Sequence, residues 1–343
     1  MFKQLVDTTL FRAINSPSRY PQRMVRFTVL ASGSKGNATV VTGGRTRILV
    51  DCGLSCRELF RRMKLVGEEP ETLDAILISH EHSDHVGGVA VTARKLNVPV
   101  YFTEGTHRAW MRWLQPRRQM TYAQWLEQMR KQAAERQAEA VDPAEEGEQD
   151  ESDLVEAAEP IEPTEPTEPD KTKDPAWLPA VEFFTAGEPF EIGDIQISPF
   201  TTPHDAADPV GFVFGTEGVR MGFVTDLGYI SPNVKAQLQD LDLLLLESNH
   251  DLEMLKDGPY PWAVKQRVMS RVGHLSNEAA AGFLEDGYDG QAAYVILAHL
   301  SESNNLPELA RVTAERALNG RASLLANMLL LAAQNEPLSS IYF

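Results

Sequence analysis

Six consecutive residues, His80-Glu81-His82-Ser83-Asp84-His85, put three imidazoles and an aspartate directly after an apolar run, Ala75-Ile76-Leu77-Ile78. The run reads as a buried strand, and a helix begun at Gly87-Gly88 follows. Groups this polar are not placed beside a core for packing, because burying them without partners is costly. Alternation along an extended chain turns His80 and His82 to one side, toward a common point. Asp84 and His85, in the turn into the helix, reach a second point beside it. A cluster of imidazole nitrogens and carboxylate oxygens suits zinc, and also manganese or iron. Any fold for this chain must therefore end a strand at a metal-binding turn.

The rest of the pattern alternates strands and helices. Residues 25–31, 38–42 and 46–50 read as short strands separated by the glycine-bearing turns Ser32-Gly33-Ser34 and Gly43-Gly44. Further strands are expected at 75–78, 99–102, 181–184, 194–200, 210–215, 219–225, 241–246, 293–298 and 328–333. Helices are expected at 55–66, 86–97, 231–239, 259–271, 276–285 and 306–318. Early hairpins followed by strand–helix alternation predict two packed sheets with helices outside, an α/β architecture. No second core is visible, so residues 25–343 read as one domain. Residues 1–24 do not join the pattern and read as a poorly ordered N-terminal extension, with Met24 as an alternative start.

Charge divides the chain unevenly. The formal net charge is −17, from 32 Lys+Arg and 49 Asp+Glu. Between Glu135 and Asp174 sixteen acidic residues face three basic ones, which accounts for −13 and leaves −4 for everything else. This stretch holds the near-repeat Glu162-Pro163-Thr164-Glu165-Pro166-Thr167-Glu168-Pro169 and almost no large apolar residue, so residues 136–176 read as a disordered acidic insertion. It reads as a solvated spacer, with a partner-binding or nucleic-acid-mimicking acidic arm as the alternative. Immediately before it, Arg108, Arg112, Arg117 and Arg118 alternate with Trp110 and Trp113. Such a mixture suits a phosphate backbone and stacked bases. An amphipathic surface helix with its tryptophans packed inward has the same pattern. No apolar run approaches the roughly 18 residues of a membrane span, and the first 24 residues lack a secretory h-region. Cys52 and Cys56, the only cysteines, form no disulfide framework and no complete thiolate metal site. A cytoplasmic protein without membrane association is the expectation.

The HxHxDH hexapeptide resembles the signature of the metallo-β-lactamase superfamily, and further elements of that family occur in order from Met24 to Phe343. Asp51, in Val50-Asp51-Cys52-Gly53, matches the first motif; His204, in Pro203-His204-Asp205, the third; Asp226, in Val224-Thr225-Asp226, the bridging carboxylate; His299, in Ile296-Leu297-Ala298-His299, the last. The resemblance implies an αββα sandwich with two divalent metal ions, zinc or manganese with iron as a further candidate. It implies that His80, His82 and His204 hold one ion, that Asp84, His85 and His299 hold the other, and that Asp226 is shared. Asp51 would hydrogen-bond a ligand histidine.

Four peptides narrow the resemblance: Ser32-Gly33-Ser34-Lys35-Gly36-Asn37, Glu247-Ser248-Asn249-His250-Asp251, Gly273-His274-Leu275-Ser276-Asn277, and His299-Leu300-Ser301-Glu302-Ser303-Asn304-Asn305. Together they are similar to the WalJ/YycJ group of bacterial exonucleases. By analogy with tRNA 3′-processing enzymes, Glu247 and His274 would act with Asp84 as catalytic residues, the first two as a proton-donating pair. His250 reads as a surface histidine or one behind the ligands.

Phosphodiester cleavage needs such a site. Two cations about 3.5–4 Å apart can hold a bridging hydroxide, lower its pKa and neutralise charge building on the phosphoryl oxygens. His274 could protonate the leaving oxygen near neutral pH. Ser32, Ser34 and Asn37 could bind a phosphate or simply form a tight turn; Asn304 and Asn305 could contact substrate or cap a loop. The expectation is a dinuclear phosphodiesterase acting on DNA as an exonuclease. A cyclic phosphodiesterase of the same superfamily, a thioester or lactam hydrolase, and a regulatory protein working through the acidic insertion are the alternatives.

Overall fold

Alternating apolar runs and glycine turns give fourteen strands among the described residues of the computed structural model, which are 25–114, 174–320 and 327–343. One sheet holds β1 (Arg26–Ala31), β2 (Ala38–Thr42), β3 (Arg47–Val50), β4 (Ala75–Leu77), β5 (Val100–Phe102) and β6 (Val181–Phe183), with β14 (Ile341–Tyr342) on the β1 edge. The other holds β7 (Phe190–Ile192), β8 (Ile195–Thr201), β9 (Val210–Thr216), β10 (Val219–Val224), β11 (Leu243–Glu247), β12 (Tyr294–Ala298) and β13 (Met328–Leu331), neighbours in chain order. Both sheets are mixed, and in the same way. The pairs from β14 through β1 and β2 to β3 are antiparallel and those from β3 to β6 parallel. Likewise β7 to β10 pair antiparallel and β10 to β13 parallel.

Parallel neighbours need crossovers, and helices supply them. They are α1 (Cys56–Leu65), α2 (Ser83–Val86), α3 (Val89–Leu96), α4 (Glu104–Leu114), α5 (Pro232–Gln237), α6 (Leu252–Asp257), α7 (Trp262–Val268), α8 (Asn277–Gly282) and α9 (Pro307–Asn319). The period-two alternation of side chains then builds the layers. Leu243 and Leu245 on β11 face inward, in one cluster with Phe27, Val29, Ile48 and Val50 of the opposite sheet. Leu244 and Leu246 face outward, with Val234, Leu238, Ala280 and Ala314 of the helices. Two sheets packed face to face with helices outside are the αββα arrangement that the resemblance implies.

Several boundaries differ from expectation. The helix expected at 86–97 is two helices, α2 and α3, split at Gly87-Gly88. The break has a packing cause: Gly88 donates to the Cys52 carbonyl at 2.7 Å, and a Cβ there would strike the Leu54 carbonyl. The helix expected at 276–285 is α8 followed by a π-helical turn, Phe283–Gly287. Strands β7 and β14 and helix α6 were not expected; each is six residues or shorter, too brief for a periodic signal. On α4, Trp110 is buried and Trp113 is 58% exposed, so the inward-packed reading of these tryptophans holds for the first alone. The extension 1–24, the insertion 136–176, Arg117 and Arg118 lie outside the described residues, apart from the last three residues of the insertion. No helix among the described residues is long and apolar enough to cross a membrane.

Candidate metal centre

In α/β sheets ligand sites form beyond the carboxyl ends of parallel strands. Here both sheets contribute such ends to one point. Asp51 follows β3, the hexapeptide follows β4, Asp226 follows β10, Glu247 ends β11 and His299 follows β12. The chain must turn sharply off each strand, and Asp51, Asp226 and His299 do so with φ of +59°, +58° and +57°. Left-handed backbone disfavours any residue with a Cβ, at about 1–3 kcal/mol each. Among the described residues, three of the six non-glycine residues with positive φ are thus site residues.

Two donor sets result. His80 Nε2 lies 3.1 Å from His82 Nδ1, which lies 3.3 Å from His204 Nε2. Asp84 Oδ2 lies 3.4 Å from both His85 Nε2 and His299 Nε2. Asp226 stands between them, with Oδ2 3.3 Å from His85 Nε2 and Oδ1 3.8 Å from His204 Nε2. Within each of the groups His80/His82/His204, Asp84/His85/His299 and His80/His85/Asp226, one donor atom per residue lies within 4.8 Å of the others. Asp226 Oδ2 is buried with no hydrogen-bond partner. An orphaned carboxylate oxygen beside converging imidazole nitrogens is what a cation would complete, since buried charge is otherwise paired. The residues fit divalent metal ions.

The non-converging nitrogens of His80, His85, His204 and His299 are anchored from behind, which fixes those rings. His85 Nδ1 meets Asp51 Oδ2 at 2.8 Å, and Asp51 also accepts from Ser79 N and Ser79 Oγ. His80 Nδ1 is 3.0 Å from Ser79 Oγ. His204 Nδ1 donates to the Gly273 carbonyl at 2.9 Å. His299 Nδ1 meets Glu247 Oε1 at 2.9 Å, and the same oxygen takes His274 Nδ1 at 2.8 Å. Glu247 Oε2 accepts from Leu227 N and Leu275 N. Sequence reading foresaw Glu247 beside His274 and not its second tie to His299.

Electrostatics separates the two sets. Burial, reinforced by the neighbouring His85, pushes His80 well below the usual histidine range, and burial with His204 lowers His82. Burial is the largest single influence on His85 and His299 and acts the same way, yet the surrounding carboxylates together outweigh it: Asp226, Asp51 and Asp84 at the first, Asp226, Asp84 and Glu247 at the second. Both are raised. His274 is raised against burial by Glu247, and Glu247, despite burial, is held down to about 2 by His274 and His299. Burial lowers His250 to about 4, behind the ligands rather than on the surface.

The remaining expected residues divide. Ser34 and Asn304 line the cavity over the donors. Ser32 is buried, its Oγ accepting from His299 N, so it supports the left-handed turn at that residue. Asn37 is buried, its Oδ1 accepting from Gly33 N and its Nδ2 3.1 Å from Asp84 Oδ2; it braces the second donor set. Asn305 is occupied by Ser248 O, Asn249 O and Asn277, which makes it a loop clamp. Arg112 is exposed on α4 and is not among the cavity-lining residues. Tyr260, Val264, Arg267 and Val268 line the cavity and were not foreseen, because nothing in their sequence distinguishes them from an ordinary helix.

Mixed sheets packed face to face, with metal-donor sets at their carboxyl edge, define a metal-dependent hydrolase of αββα type. The chain belongs to the metallo-beta-lactamase superfamily, whose profile matches residues 31–264. It is 32% identical over 294 residues to a protein of Bacillus anthracis named exodeoxyribonuclease YycJ, covering 86% of this chain and 89% of that one. It is 32% identical over 288 residues to exodeoxyribonuclease WalJ of Streptococcus pneumoniae, covering 84% and 86%. In fold it is similar to the metallo-beta-lactamase fold protein YhfI of Bacillus subtilis, with a TM-score of 0.56 at 15% identity over 92% of this chain and 99% of that one.

Proposed function

We propose that this chain is a dinuclear phosphodiester hydrolase that removes nucleotides from the ends of DNA. The observation that carries the reading is His274, held by Glu247 against the shared carboxylate: its Nδ1 is 2.8 Å from Glu247 Oε1 and 3.8 Å from Asp226 Oδ1, and its ring lines the cavity. A carboxylate only accepts, so Nδ1 carries the proton toward Glu247, and Nε2 is left for the cavity. His274 then delivers a proton to the departing sugar oxygen, and Glu247 stabilises the ring while it is charged. When bound, the divalent ions supply an acidified water and offset charge on the phosphoryl oxygens. Asp226 keeps the two donor sets in register, while Asp51 and Glu247 orient His85 and His299. Relatives named exodeoxyribonucleases over most of their length support DNA as the substrate.

The test incubates metal-loaded protein with end-labelled single- and double-stranded DNA and, separately, with a cyclic nucleotide. Release of mononucleotides from DNA ends is the expected result. Turnover of the cyclic substrate alone would overturn the DNA reading in favour of a small-molecule phosphodiesterase.

A further inference from the structure

The cavity over the metal donors has a wall made by α7, where Val264, Arg267 and Val268 recur at helical spacing and share one face. Arg267 is the one Arg or Lys among the described residues that line the cavity. The cations beside it in sequence are engaged elsewhere: Lys265 Nζ donates to the Lys256 carbonyl, and the Arg271 guanidinium sits 4.2 Å from the centre of the Tyr229 ring. Arg267 has no part in the proton transfer from His274, yet its position is fixed. Its Nε and Nη2 both donate to the Asp205 carboxylate, Nη2 at 3.0 Å, as a two-pronged fork. Asp205 is held in turn, its N donating to the Val272 carbonyl at 3.0 Å. A guanidinium carries five N–H groups in one plane. The fork uses one from Nε and one from Nη2. Both hydrogens of Nη1 and the second of Nη2 remain, and they have no protein partner among the described residues.

From this arrangement we infer that Arg267, aligned by Asp205, binds the phosphate next to the one that is cut, so that the enzyme favours a strand with adjacent linkages over a single diester. The inference rests on the nuclease reading and adds a residue that recognises the strand as a polymer. The unused end of the guanidinium presents parallel N–H groups, which match two oxygens of one phosphate. It does not serve the phosphate held at the metal donors. Asp205 Oδ1 lies 3.5 Å from His204 Nε2 and 3.0 Å from Arg267 Nη2, so a carboxylate oxygen is interposed between the guanidinium and a donor nitrogen. The same carboxylate offsets the repulsion between the guanidinium and a cation bound at His204. A nucleic-acid strand repeats its negative charge at every linkage. With one phosphate at the donors, its neighbour needs a cation of its own, which Arg267 alone supplies among the described lining residues. A cyclic nucleotide has no neighbouring phosphate and gains nothing from this contact.

The test follows hydrolysis by the metal-loaded full chain of three substrates: a deoxytrinucleotide, the same trimer with one linkage or the other replaced by an uncharged methylphosphonate, and a dinucleotide, which has only the linkage to be cut. For wild type, KM at the remaining phosphodiester of the methylphosphonate trimer is expected to be about 10- to 150-fold above that of the normal trimer, the loss of one hydrogen-bonded charge contact, with kcat within about threefold. Arg267→Ala should raise KM for the normal trimer by the same factor, with no further rise on the methylphosphonate trimer, and its loss on the dinucleotide should be the smaller. Arg267→Lys should also lose affinity for the normal trimer, because one ammonium cannot fork to Asp205 and to a phosphate together. Wild type that cuts both trimers with equal KM, a comparison that needs no variant, overturns the phosphate contact and leaves the nuclease reading standing. A loss in Arg267→Ala that is equal on all three substrates assigns Arg267 to anchoring Asp205 and overturns the contact as well. Should that variant lose all activity, the wild-type comparison decides. Wild type that cuts neither the trimer nor the dinucleotide removes the nuclease reading, and the contact falls with it.

Discussion

Replacing Glu247 with glutamine changes one atom and puts a donor where the fold supplies only donors. The side chain is fully buried, and four N–H groups converge on it: Leu227 and Leu275 backbone amides on Oε2 at 2.9 and 3.1 Å, His274 and His299 Nδ1 on Oε1 at 2.8 and 2.9 Å. A glutamine turned with its amide toward the backbone leaves two buried N–H groups unpaired, at about 1–3 kcal/mol each, or about 2–6 kcal/mol together. Turned toward the rings, it forces both histidines to give up the Nδ1 proton. The tautomeric shift costs less than two orphaned amides, so this orientation is the one expected. It then places a proton on His299 Nε2, the nitrogen that lies 3.4 Å from Asp84 Oδ2. Glu247→Gln should therefore fold, losing about 1–3 kcal/mol as two charge-assisted bonds become neutral ones, while affinity for the second metal falls about 10- to 100-fold. Urea unfolding of chelator-treated protein measures the first quantity, and stepwise metal titration by calorimetry the second. A variant within about 0.5 kcal/mol of wild type in stability, binding both metals undiminished, would refute the four-donor reading of Glu247.

Other consequences follow from particular contacts. Gly53→Ala should cost about 1–3 kcal/mol and weaken the second metal, because a Cβ there overlaps the Asp84 carbonyl and lies 2.8 Å from Asn37 N; chemical unfolding and metal titration check both. Burial pushes the Cys52 thiol up to about 12 from an ordinary 9.0, so folding favours the neutral thiol. The sign is fixed by the raised value: stability present at neutral pH declines as pH rises past the unfolded thiol's pKa, by about 1.4 kcal/mol at pH 10. Cys52→Ala should flatten that decline in urea unfolding at pH 8 and 10, and equal slopes in both proteins would count against it. His82→Ala should lose one metal and hydrolysis together, whereas His274→Ala should keep both metals by elemental analysis and slow hydrolysis about 10²- to 10⁴-fold. Loss of metal from the His274 variant would contradict a proton-donating role.

How much of this was legible in the sequence depended on distance along the chain. The first four donors sit within six residues of one another, and strand alternation sorts them into two directions without further information. The apolar run at 241–246 announced a strand, and side chains of β11 pack into a core on each of its faces. His204, Asp226 and His299 are single residues at strand ends, and only their order after the hexapeptide distinguished them. Asn37 and Asn305 show the limit. An asparagine in a loop has the same local sequence whether it binds substrate or braces a neighbour, and the choice was made by Asp84 and Asn277, 47 and 28 residues away. The α7 wall could not be read at all, because Val264, Arg267 and Val268 line a cavity only by virtue of strands far from them in sequence.

The left-handed residues give a physical reason for why the site stands where it does. A parallel strand that ran on past Asp51, Asp226 or His299 in extended backbone would carry its next side chain beyond the sheet edge, one residue farther from the opposite sheet. A positive φ at that point folds the chain back, so that the ligand or its support projects across the edge. The surrounding hydrogen bonds hold the strain in place: Asp51 N donates to the Leu77 carbonyl, and His299 N to Ser32 Oγ. Aspartate tolerates this conformation better than most residues, and His299 meets the cost through the 2.9 Å bond from its ring to Glu247. Both sheets repeat the same order, four antiparallel strands and then parallel ones, and both break their parallel strands this way at the same edge. Two donor sets meeting at one carboxylate follow from that geometry: both sheets bring strand ends to the same edge, and Asp226 lies between the sets.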